Sequence, residues 1–177
     1  PVASFNMPDR PTKPGTIGRA IPGCEMKLVD LEGNDVPPGD GIGEIAIRGD
    51  NVMKGYWGKP EATAESIPDG WFRTGDLAVV DEDGYFTIVD RKKDMIIRGG
   101  LNVYPREVEE VLYEHPDVLE AAVVGIPDDL LGEEIGAAVA LRPGSSATTD
   151  EVREFVKSRL AAYKYPRVIW TMNELPK

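Results

Sequence analysis

Apolar positions recur along this chain with two different periods, and the change from one to the other marks out its organisation. In GEIAIRG (43–49), Ile45 and Ile47 stand two residues apart, the spacing of a strand with one face inward. WFRTGDLAVV (71–80) and YFTIVDR (85–91) flank DEDG, which predicts a β-hairpin turning at Asp83-Gly84. Residues 1–40 are dense in Pro and Gly, and short strands such as 25–29 lie between the turn clusters LEGND and PPGDG, a texture of small-barrel β-structure. One short helix is expected in GYWGKPEATAESI, where Pro60 suits a first helical turn.

After Arg91 the period lengthens. Val108, Val111 and Leu112 follow Pro105 at i, i+3, i+4 spacing, the stripe of an amphipathic helix. VLEAAVVGI (118–126) and EIGAAVALRP (134–143) are continuous apolar runs and read as buried strands. A Thr148-x-x-Glu151 capping box opens a second helix carrying Val152, Phe155, Val156 and Leu160, and RVIWTM (167–172) is strand-like. The expectation is an α+β chain: a β-rich stretch over residues 1–92, then a small α+β domain over 93–177 with a three-stranded sheet and two helices. The boundary falls within residues 91–94.

Composition narrows the function. With 41% hydrophobic and 29% charged residues among 177, the chain is globular rather than disordered. Twenty Lys and Arg against 31 Asp and Glu give a net charge of −11, the wrong sign for a nucleic-acid phosphate binder. The apolar runs at 121–126 and 135–141 are far shorter than the ~20 residues that span a bilayer, so no transmembrane segment is expected. Cys24 is the one cysteine, with no disulfide partner and no metal-ligand spacing around it, which fits a buried role in a reducing cytoplasm. The start, PVASFNMPDRP, has neither an initiator Met nor a signal-peptide core and reads as the interior of a longer protein.

Against this acidic background, DRKKDMIIRGGLNVYPREVE (90–109) gathers Arg91, Lys92, Lys93 and Arg98 around Gly99-Gly100. Two glycines in a strand-like run cost roughly 0.5–1 kcal/mol each relative to Ala, so a turn or a close approach must require them. Asp76, in RTGD, is either a turn-capping carboxylate after Gly75 or an acceptor able to bind both hydroxyls of a ribose. Lone His115, in EHPD, reads as a helix-capping or surface residue. Glu107, Glu109 and Glu110 read as an exposed helix face, Trp57, Trp71 and Phe72 as core, and Lys164 and Arg167 as a solvated basic edge or a contact for phosphates. No cluster has the spacing of a protein metal site.

GEIAIRGDNVMKGYWGKPEAT, GWFRTGDLAVVDEDGYFTIVDRKKDMIIRGGLNVYPREVEEVL and the late NELPK resemble, in order, the signatures of the adenylate-forming enzymes. These include acyl-CoA synthetases, luciferases and peptide-synthetase adenylation domains; KKDMIIRGGLNVYPREVE is similar to the fatty-acyl and aryl CoA ligases. The resemblance implies an acid–thiol ligase. A carboxylic acid, a fatty or similarly hydrophobic one, and ATP would give acyl-AMP and pyrophosphate, and the thiol of CoA would then displace AMP. Residues 1–92 would be the last part of the large AMP-binding domain, ending in a distorted barrel, and 93–177 the lid that rotates between half-reactions.

It further implies Asp76, Arg91 and Asn102 as nucleotide contacts, Lys93 as the hinge, and Arg98, Gly99 and Gly100 as the loop delivered to the pantetheine arm of CoA. Mg²⁺ would enter with ATP. The phosphate loop and most of the acyl pocket precede residue 1 in such enzymes, and the adenylation lysine lies beyond Lys177, so no catalytic residue is expected in the chain and it should be inactive alone. A carrier-protein thiol in place of CoA, and a non-catalytic interaction module with the lid fold, are the alternatives.

Overall fold

The computed structural model describes residues 2–9 and 11–176, and the chain divides into two compact units, residues 1–92 and 93–177. The first contains β1 (Ser4–Phe5), β2 (Arg19–Ala20), β3 (Cys24–Val29), β4 (Asp35–Val36), β5 (Gly43–Gly49), α1 (Pro60–Ser66), β6 (Phe72–Val80) and β7 (Phe86–Arg91). β3 to β7 form one antiparallel sheet in the order β4-β3-β5-β6-β7, while β1 and β2 pair separately. Among the described residues the five-stranded path does not close into a ring; its β7 edge continues through a single bridge, Gly18 to Phe86. Leu28, Ile45, Ala78, Val80 and Phe86 form the core of this unit.

Turn chemistry fixes the β6–β7 hairpin where the sequence places it. The Tyr85 amide donates to the Asp81 carboxylate at 2.9 Å, the Gly84 amide donates to the Asp81 carbonyl at 2.9 Å, and Gly84 takes φ +80°, which suits glycine. Pro60 opens α1 as expected. Trp57 departs from expectation: it is fully exposed, because it lies in a Gly-flanked loop outside both the sheet and α1. Trp71 is half-buried at the surface, with Lys27 Nζ 4.5 Å and the Arg48 guanidinium 4.4 Å from its ring centroid, two cation–π contacts rather than a core position. Phe72 is likewise only partly buried, and Cys24 is buried and free.

The second unit contains β8 (Ile96–Arg98), β9 (Leu101–Val103), α2 (Pro105–Tyr113), β10 (Val118–Asp128), β11 (Gly132–Leu141), α3 (Thr149–Lys157) and β12 (Val168–Met172). Its sheet has five strands, not three. β11 pairs antiparallel with β10 along its length, parallel with β12 over 136–140, and with β8 only at Gly132 and Arg98. The two extra strands are three residues each and flank the glycine pair, so in the sequence they read as a turn leading into a helix. Ile96, Val103, Val108, Leu112, Val118, Ile135, Val139, Val152 and Val156 make one continuous core under α2 and α3.

Both ends of the Thr148 capping box are made: the Glu151 amide donates to Thr148 Oγ1 at 3.2 Å and the Thr148 amide to Glu151 Oε2 at 2.8 Å. His115 is neither a capping nor a surface group. It is buried, edge-on to Phe155 with ring centroids 4.8 Å apart, and its Nδ1 accepts from the Asp117 amide at 3.2 Å, because the α2–β10 turn folds it back onto α3. No helix of the described residues is long and apolar enough to cross a membrane.

Candidate functional site

β6 is interrupted where Asp76 sits. Between Ala46, opposite Arg73, and Glu44, opposite Leu77, the β5–β6 register slips, and Gly75 in the bulge takes φ +77°, a left-handed conformation open to glycine at little cost. A bulge leaves backbone groups without ladder partners, and here side chains supply them. Thr74 Oγ1 accepts from the Asp76 amide at 3.1 Å and donates to the Ile45 carbonyl at 3.0 Å. The Gly75 amide donates to Glu44 Oε1 at 3.0 Å, and the Gly75 carbonyl accepts from the Lys92 amide at 2.8 Å.

The bulge aims Asp76 at the neighbouring strand. Asp76 and Arg91 are register partners across β6 and β7, and Arg91 Nε lies 3.0 Å from Asp76 Oδ1. The Asp76 side chain is 32% exposed and that of Arg91 60%, so the pair is solvent-facing and approachable. Asp76 also lines a cleft of about 470 Å³ whose other walls are chiefly Ile47, Val52, Met53 and Phe72, with Asn51 and Thr74 as polar members. A carboxylate at the edge of a largely apolar cleft is the donor–acceptor layout of a small-molecule site.

In the second unit the glycine pair forms the β8–β9 turn. Gly99 has φ +57° and Gly100 +80°, and the Gly99 amide donates to the Leu131 carbonyl at 2.8 Å. A Cβ on Gly99 would meet Leu131 Cδ2 at 3.2 Å, whereas one on Gly100 would face open space. The turn geometry therefore accounts for the glycines, and it leaves Gly100 backbone accessible on its outer side. Asn102 is exposed on β9. Burial pushes the Tyr104 phenol up, and its hydrogen bond with Asn102 offsets part of that shift. Lys93 is exposed in the link between β7 and β8.

Arg98 is otherwise engaged: its Nε and Nη2 both bond Glu134, at 2.5 and 2.8 Å, with each side chain only 15% exposed. The Arg98 guanidinium holds the Glu134 carboxyl below its usual range, and Glu134 in turn raises Arg98. Lys164 is not a solvated edge either, since its Nζ bonds both oxygens of Glu107 at 2.7 and 2.8 Å. Arg167 stacks on the Tyr165 ring at 3.7 Å and donates to the Ala162 carbonyl. Of the three helix glutamates, Glu109 accepts from the Val123 amide at 2.9 Å, and Glu110 alone is exposed, paired with Arg106. Among the described residues no group of three or more His, Cys, Asp or Glu could hold a metal ion.

Glu44 and Thr74 are members of the site that the sequence did not point to, and Lys92 stood out there only as one of the charges gathered around Gly99-Gly100. Glu44 reads there as the polar position of an alternating strand, and only the bulge opposite gives it work.

Residues 1–57 match the family model described as AMP-binding enzyme, and residues 107–177 match the AMP-binding enzyme C-terminal domain. The chain belongs to the AMP-binding, adenylate-forming enzymes. It is 47% identical over 177 residues to a long-chain-fatty-acid–CoA ligase of Bacillus subtilis (strain 168), covering all of this chain and 32% of that protein. ATP-bound MatB from Rhodopseudomonas palustris superposes with a TM-score of 0.92 at 39% identity, over 99% of this chain and 35% of that one. The amide bond synthetase McbA from Marinactinospora thermotolerans superposes with a TM-score of 0.82 at 41% identity, over 92% and 33%. This member of the adenylate-forming enzymes thus spans about a third of the length of the curated relatives it matches.

Proposed function

We propose that this chain is the nucleotide-contacting β-rich segment and the lid of an acyl-CoA synthetase that activates a hydrophobic carboxylic acid. The observation that carries the reading is the Asp76–Arg91 pair, aimed across β6 and β7 by the Gly75 bulge at the wall of an apolar cleft. In the first half-reaction an oxygen of the acid's carboxylate attacks the α-phosphorus of ATP, and the bond to pyrophosphate breaks. In the second, the CoA sulfur attacks the acyl carbonyl, gives up its proton and releases AMP. The residues here bind and orient. Asp76 accepts hydrogen bonds from both ribose hydroxyls, and Arg91 holds Asp76 while presenting fixed positive charge to the nucleotide. Mg²⁺, entering with ATP, would neutralise phosphate charge.

The two units take separate tasks: residues 1–92 hold the nucleotide, and 93–177 act as a lid turning at Lys93. In that role Gly99 and Gly100 bring side-chain-free backbone to the thiol substrate, and Asn102 contacts the nucleotide. The identity to a fatty-acid–CoA ligase supports an acid–thiol ligase with CoA as acceptor. The likeness to an amide bond synthetase favours a second reading, the same activation followed by transfer to another acceptor. Consumption of preformed acyl-AMP by the full-length enzyme only when CoA is supplied separates the two.

The nucleotide role is tested by Asp76→Ala in the full-length enzyme. Loss of hydrogen bonds to a charged group costs about 1.5–3 kcal/mol, so the KM for ATP should rise by roughly tenfold or more. An unchanged KM removes Asp76 from the site. Lys93→Pro, by fixing φ near −65°, should leave one half-reaction running and slow the other; equal, undiminished rates place the pivot elsewhere.

A further inference from the structure

Among the described residues Glu44 is the only buried carboxylate, 6% exposed on β5 beside Ile45 at 2% and Ala46 at 0%. A buried carboxylate costs several kcal/mol in lost hydration unless it is paired and hydrogen-bonded. An apolar residue would satisfy the burial pattern of the strand, so the acid must answer a need that burial does not. Both of its oxygens are used: Oε1 accepts from the Gly75 amide at 3.0 Å, and Oε2 from Lys92 Nζ at 2.9 Å. The Lys92 amide also donates to the Gly75 carbonyl at 2.8 Å, which closes a ring of three residues.

The members of that ring bracket the candidate site. Gly75 immediately precedes Asp76, and Lys92 immediately follows Arg91 and precedes Lys93. If Glu44 let go, the Gly75 amide would lose this acceptor and the Lys92 ammonium its carboxylate, while the Lys92 amide would keep its bond to the Gly75 carbonyl. Thr74 fixes the Asp76 amide but does not reach β7. Glu44 is therefore the side chain that reinforces the backbone tie between the bulge aiming Asp76 and the strand end carrying Arg91.

We infer that Glu44 is a positioning residue: by gripping Gly75 and Lys92 together it sets the Asp76–Arg91 pair and anchors the chain where it enters Lys93. The inference rests on the reading of Asp76 and Arg91 as nucleotide contacts. Glu44 and Lys92 also line a second, polar cleft of about 540 Å³ with Arg73 and Glu65, so solvent reaches the ion pair and a substitution there is not sealed in a dry core. The Lys92 side chain is 42% exposed and that of Glu44 7%.

The experiment compares ATP kinetics of the full-length enzyme with Glu44→Gln, Asp76→Ala and the double variant. Gln keeps an acceptor for the Gly75 amide and surrenders the charge that holds Lys92. Glu44→Gln should raise the KM for ATP about three- to tenfold, the scale of one ordinary hydrogen bond, with kcat within about twofold, since ribose contacts bind ground and transition states alike. Because Glu44 acts through the Asp76–Arg91 pair, the loss in the double variant should fall short of the product of the two single losses.

An unchanged KM in Glu44→Gln, alongside a raised KM in Asp76→Ala, overturns the positioning role and leaves the nucleotide reading standing. Additive losses in the double variant overturn it as well. No effect of Asp76→Ala overturns the nucleotide reading and, with it, this inference. Should Glu44→Gln fail to fold, Lys92→Met, which likewise leaves the Gly75 bond in place and removes the hold on Lys92, is expected to raise the KM for ATP by a similar factor, and a wild-type KM there refutes the role.

Discussion

At the scale of single residues, chemistry in this chain divides between groups offered to solvent and groups spent on the fold. Asp76 and Arg91 belong to the first kind, and the resemblance to adenylate-forming enzymes pointed to both. Arg98 belongs to the second: its guanidinium is taken up by Glu134, a partner 36 positions away that no local pattern announces. That pair has a pH signature. The Glu134 carboxyl is depressed below its ordinary value of 4.5, first by the Arg98 hydrogen bond and also by the Ile135 amide. A depressed carboxyl contributes stability that is present above about pH 4.5 and is lost as pH falls through the folded value. Urea midpoints measured at pH 7 and pH 3.5 should accordingly drop more for the wild-type chain than for Glu134→Gln, and equal drops would show that the pair is not a source of acid sensitivity. Glu44 is the instructive omission, because its role depends on a register slip in the neighbouring strand.

Among the elements, helices and long strands were legible because each carries its own signal. Pro105 and the Val108–Leu112 stripe mark α2, and the Thr148–Glu151 box marks the start of α3, although α3 ends at Lys157 and Leu160 packs from the turn beyond it. β8 and β9 were not legible. Three residues are too few for a period to register, and their pairing is defined by a left-handed glycine turn and by a far-off contact with β11. The same contrast orders the energetics. Leu112, with no exposure, should cost about 2–5 kcal/mol on truncation to Ala, a cavity in the core. Thr148→Ala removes one cap and should cost about 1 kcal/mol. Denaturant titration of the two variants checks the order, and a cap loss as large as the core loss would mean that α3 is held by its end rather than by Val152 and Val156.

For the whole molecule, the division into residues 1–92 and 93–177 follows from two cores that share no member. The change of hydrophobic period near Arg91 made the division visible, whereas strand order and the open path of the first sheet depend on long-range pairings that periodicity does not encode. Separate cores predict separable stability. Leu112→Ala should speed amide hydrogen exchange throughout the β10–β11 ladder while leaving that of β3, β5 and β6 near wild-type, and uniform acceleration would show a single cooperative unit. The indole side chains allow the same separation to be followed with light. Trp57 is bathed in water and Trp71 makes contacts with two cations, both in the first unit, while Trp170 on β12 is the only tryptophan of the second. With Trp57 and Trp71 replaced by phenylalanine, the emission of one fluorophore would report the melting of residues 93–177 alone, so each half of the chain can be watched without an attached dye.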